Sequence, residues 1–212
     1  MSSKKQRMGW DLKETAAYVA REITEANVYK GLLFNLMDPL LKDKELITLA
    51  PITIHYLTVA PELGCVLALA KVFAADNEPG LDRLIQIAKV VPTRVAEAKV
   101  EAFLKDKFNK DRATFLENAD TYRQKITKIR DKLRPLRNTQ RAHNFPGLAK
   151  KANTTWNEFQ EWLTFAERVY GQAMSAMGKG GLSVGNFLPG TFRADVQNML
   201  EAIRRGTNHR CC

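Results

Sequence analysis

The chain has 212 residues, enough for one domain with its own core without disulfides or a structural metal. Apolar residues make up 45% and no stretch alternates as a strand does, so an all-α fold is expected: a single up-and-down helical bundle with a short C-terminal helix. Three cysteines and three scattered histidines form neither a disulfide framework nor a metal-ligand pattern, so no metal and no cofactor is expected, while a net charge of +10 favours polyanionic partners.

The first eleven residues are polar and basic and lack the apolar run of a secretion or transit signal. Asp11 is a good N-cap, and a helix is expected over 11–37, stopped at Asp38-Pro39 because a proline disfavours helix in the residue before it. A second helix begins near Pro51 and carries Ile54, Leu57, Leu63, Val66, Leu67, Ala70 and Phe73, with a kink at Pro61. It is expected to be the most buried element. His55, Pro61, Glu62 and Lys71 interrupt its apolar run, so it reads as a core helix rather than a membrane span, and the chain is expected to be cytoplasmic.

Asp76-Asn-Glu-Pro-Gly80 is a turn cluster, and Leu81, Leu84, Ile85 and Ala88 then mark a short helix ending before Pro92. A further helix is expected over 93–107, and Asp111 reads as the cap of a long one leading to Asn144-Phe-Pro-Gly147. Asn153-Thr-Thr-Trp-Asn-Glu158 has the form of a helix start. Behind it Trp156, Phe159, Trp162, Leu163, Ala166, Val169 and Tyr170 recur at helical spacing, as a buried face does and a base-stacking platform does not. The glycine-rich stretch 178–185 follows a helix and has glycine after Lys179, which suits a linker better than a phosphate loop. The expected organisation is therefore a bundle over 11–170, a glycine-rich linker over 171–190 and a C-terminal helix over 191–206. The terminal Cys211-Cys212 pair reads as tail, since no further motif supports lipidation.

Charge is concentrated in one segment. Between positions 123 and 151 ten Lys or Arg face a single acid, Asp131, so this stretch carries +9 of the +10. If 122–143 is one helix, Tyr122, Ile126, Ile129, Leu133, Leu136, Gln140 and His143 share a face that begins apolar and ends polar. Arg130, Arg134, Arg137 and Arg141 form a second stripe beside it. Like charges at that spacing repel, whereas guanidinium groups match phosphate oxygens, so the stripe points to a polyanion. Lys150 and Lys151 extend the same basic surface. Pro135 either kinks this helix or opens a new one in its first turn. Arg137 and His143 fall on different faces of an ideal helix, so two copies packed along the apolar seam are expected to build one cleft from both pairs. His143 also has a plain reading as a cation at a helix end, and His55 reads as an ordinary polar position.

The run Leu136-Arg-Asn-Thr-Gln-Arg-Ala-His143 resembles the HEPN ribonuclease motif, an Arg followed by a polar residue and, a few positions on, a His. The stretch 63–87, with Phe73-Ala-Ala-Asp76 and Leu81-x-x-Leu84, is similar to a second segment of abortive-infection HEPN-like families, and the resemblance covers about 11–170. It implies a HEPN-like bundle and a metal-independent endoribonuclease, in which the ribose 2′-hydroxyl attacks the adjacent phosphate. In that reading Arg137, Asn138 and His143 are catalytic, and Arg130, Arg134, Arg141, Lys150 and Lys151 bind RNA. The implied role is that of a toxin or antiphage effector, a homodimer with its site at the interface and an antitoxin or defence-system partner. Two alternatives stay open: a non-catalytic HEPN-like module that binds nucleic acid or a partner protein, and a regulatory nucleotide binder.

Overall fold

Helices make up all the regular structure among the residues described by the computed structural model, namely 2–42, 47–48, 50–75, 78–140, 155–179 and 189–208. Seven are α-helical: α1 (Ser2–Lys42), α2 (Pro51–Val72), α3 (Leu81–Val90), α4 (Thr93–Glu97), α5 (Lys105–Gln140), α6 (Trp156–Ala176) and α7 (Pro189–Asn208). A single 3-10 turn, Ala102–Leu104, leads into α5. The all-α expectation holds among these residues.

α1 packs along α2 and also meets α3, α6 and α7, while α5 lies against α2, α3 and α6. The main core is filled by Val19 and Ile23 of α1, Val66 and Leu69 of α2, Leu81, Leu84 and Ile85 of α3, the α5 seam and the inward face of α6. A smaller cluster joins Leu36 and Leu40 of α1 and Ile54 of α2 to Val196 and Leu200 of α7. Gly64 lets α1 and α2 approach, since a Cβ there would sit 2.6 Å from the Tyr29 ring.

Several boundaries differ from those expected. α1 continues past Pro39 to Lys42, because Leu36 and Leu40 bury against α2 and α7, and this offsets the hydrogen bond that the proline removes. α2 carries Pro61 within a continuous helix and is not the most buried element, since α6 has ten buried residues against its seven. The first half of α2 leaves Ile52 and Tyr56 exposed, whereas its second half enters the core through Cys65, Val66, Ala68, Leu69 and Val72. By length and mean hydropathy α2 meets the measure of a membrane span, as the core helix of a folded domain also does. The helix expected over 93–107 is broken after Glu97. Val95, Phe103 and Leu104 remain exposed, so no apolar face holds that stretch as one helix, and α5 starts at Lys105 rather than at Asp111.

Arg112 ties these ends together. It is nearly inaccessible, donating to the carbonyls of Ala176 and Val91 and, at 3.3 Å, to Thr93 Oγ1. Its charge thus sits where α3 and α6 end, the negative poles of two helix dipoles. Gly178, with φ of +68°, closes α6 against the Ala96 carbonyl, an approach that no side chain would permit.

Candidate nucleic-acid interface

α5 is one helix through Pro135, so the periodic faces expected of it exist as continuous surfaces as far as Arg137, the last residue of the helix whose side chain is described. Ile126, Ile129, Leu133 and Leu136 are all buried and Tyr122 is partly so, which makes the seam real. Its partners belong to the chain's own core. This seam is therefore not the surface on which a second copy packs, contrary to the route to a shared cleft expected from the spacing.

Beside the seam, Arg130, Arg134 and Arg137 line one groove of about 380 Å³. The facing wall comes from the end of α2 and the turn after it: Ala70, Ala74, Ala75 and Glu78. Small side chains keep that wall low and leave the groove open. Arg134 and Arg137 are exposed and Arg130 half-buried. Among the described residues the one side-chain hydrogen bond of these three is a long one, Arg130 Nη2 to Thr127 Oγ1 at 3.5 Å. Glu78 and Asp131 share the groove, yet among the described residues neither comes within 4.0 Å of these guanidinium groups. Three clustered cations, without ion pairs among the described residues, are thus held against a small-residue wall.

Several other bases of α5 behave differently. Arg123 bonds Asp82 of α3 at 2.5 Å, and Lys132 bonds Glu158 of α6 at 2.7 Å. Glu158 also completes the start of α6: Thr155 Oγ1 accepts from its backbone N–H, and its carboxylate accepts from the Thr155 N–H at 2.9 Å. The Lys132 ammonium first, and the Thr155 N–H second, hold the Glu158 carboxyl below its usual range. Lys125 lies 4.7 Å over the Phe165 ring. Phe159, Trp162, Leu163, Ala166, Val169 and Tyr170 are buried, so the aromatic stripe of α6 is core, as its spacing implied.

Of the site residues expected from sequence, Arg130, Arg134 and Arg137 are thus brought to one groove. Asn138 falls in the last turn of α5, with its side chain outside the described residues, as are Arg141, His143, Lys150 and Lys151. The α2 wall was not read from sequence as part of the site. It lies in 63–87, the second segment of the family resemblance, and of the first segment Arg137 lines the groove opposite it.

The profile of one protein family, HEPN_AbiU2, described as AbiU2, matches residues 11–199, a span containing both walls. No curated protein and no solved structure matches the chain.

Proposed function

Because the chain belongs to the AbiU2 family of HEPN-like, abortive-infection domains, we propose that it binds RNA in the arginine groove and cleaves it without a metal, as an effector of antiphage defence or a toxin. The observation that carries this reading is the set of three guanidinium groups, Arg130, Arg134 and Arg137, lining one groove with no carboxylate paired to them among the described residues. Such a cluster gains nothing for folding and is relieved by a polyanion.

In the proposed reaction the ribose 2′-oxygen bonds to the adjacent phosphorus, the bond to the 5′-oxygen of the next nucleotide breaks, and a cyclic phosphate end is left. His143 exchanges the proton that leaves the hydroxyl or the one that the departing oxygen gains. Arg137 stabilises the charge on the pentavalent phosphorus, and Asn138 orients phosphate or imidazole by hydrogen bonding. Arg141, Lys150 and Lys151 extend the phosphate-binding surface. A homodimer supplying a second His143 belongs to the same proposal, on a surface other than the α5 seam.

RNA incubated with the protein in EDTA tests this. Cleavage to cyclic phosphate ends is expected, abolished by His143→Ala with helicity and RNA binding retained. Cleavage that requires added divalent metal contradicts the proposal, and binding without turnover assigns the chain to the non-catalytic alternative.

A further inference from the structure

The arginine groove occupies one flank of α5 only. At about 100° per residue, Arg130, Arg134 and Arg137 project roughly 90° to one side of the seam, and Lys125, Lys128 and Lys132 roughly 90° to the other. The lysine flank faces α6, where two hollows of about 430 Å³ and 560 Å³ share Lys125; Lys128 and Lys132 add cations to the first and Arg168 to the second. Lys125 Nζ lies 4.7 Å and Arg168 Cζ 5.7 Å from the centre of the same Phe165 ring, so two like charges converge there. Lys128 has no carboxylate within 4.0 Å among the described residues, and of the two acids nearby Glu158 is held by Lys132, leaving Glu161.

We propose that this α5–α6 furrow is a second RNA-binding surface, which grips the backbone of a strand whose neighbouring part lies in the arginine groove. The substrate class is then RNA longer than the few nucleotides one groove can hold. The inference rests on the reading of the arginine groove as an RNA site. Converging cations interleaved with amides such as Gln124 and Asn157 suit phosphate and ribose hydroxyls. The rings beneath, Phe165 and Trp162, are 3% and 5% exposed, so they form a floor and do not stack on bases. The same burial argues against a protein partner, because protein interfaces centre on exposed aromatic or apolar anchors and no large hydrophobic residue lining this furrow is exposed.

The test measures RNA affinity against salt by fluorescence anisotropy, with the full chain carrying His143→Ala to prevent turnover. For a single-stranded RNA of about twenty nucleotides, K125Q/K128Q is expected to weaken binding about tenfold and to flatten the salt slope by about 1.4, roughly 0.7 for each phosphate that is no longer neutralised. A tetranucleotide should lose several-fold less, and charge-preserving K125R/K128R should behave as the parent, which separates lost charge from lost fold. Unchanged affinity of K125Q/K128Q for the longer RNA overturns the inference. If R134Q/R137Q binds weakly in that same series, the arginine groove still stands, and if it too binds normally, both readings fall. Loss of binding to polyglutamate but not to RNA overturns the inference in favour of an acidic protein partner.

Discussion

Arg112 and Arg137 are the same residue type on one helix, yet they serve opposite ends. Arg112 is enclosed, and burial lowers its pKa while leaving the guanidinium charged at any physiological pH. Arg112→Met should remove donors from the Ala176 and Val91 carbonyls and lower stability by about 2–4 kcal/mol, read by urea unfolding. Arg137→Gln, with its side chain in solvent, should change stability by no more than about 0.5 kcal/mol. Cys65 supplies a residue-scale prediction on pH. Desolvation pushes its thiol from 9.0 up to about 12, so the unfolded chain sheds this proton first, and stability should fall as pH rises from 9.0 towards about 12. The slope is at most about 1.4 kcal/mol per pH unit. Unfolding measured between pH 9 and about 10, below the ordinary pKa values of 10.0 for Tyr18 and Tyr170 and 10.5 for Lys71, should show it in the parent and lose it in Cys65→Ala.

At the scale of elements, sequence spacing was most informative where one helix face is buried along its length. The 126, 129, 133 and 136 seam, the α3 residues Leu81, Leu84 and Ile85, and the α6 stripe all lie where periodicity put them. Helix ends were less legible, since they depend on packing against residues far along the chain. Pro39 does not stop α1 because α7, more than 150 positions away, covers Leu36 and Leu40. The break after Glu97 has the converse cause, in apolar residues that find no cover. Pro135 belongs to this scale as well. It lies inside α5, where a proline deprives the Asp131 carbonyl of its helical donor. Pro135→Ala should therefore stabilise the protein by about 1–2 kcal/mol, the restored bond being partly offset by a freer unfolded chain. A fall in melting temperature would show that the proline fits its place better than alanine.

For the whole molecule, charge partition carried more information than net charge. The concentration of +9 within 123–151 was plain in the sequence, and so was the arginine stripe. That α5 separates its bases, with arginines towards α2 and lysines towards α6, was not legible, because it depends on which helices flank the seam. The opposite wall was hidden for the same reason: Ala70, Ala74 and Glu78 lie some 60 positions from the arginines they face. The family match then joins both walls in one domain. The most direct measurement is RNA affinity as a function of salt for R130Q/R134Q/R137Q beside the parent. A drop of about a hundredfold, with the salt slope reduced by roughly 2, is the predicted result. Parental affinity and slope in the triple variant, with helicity intact, would contradict the account.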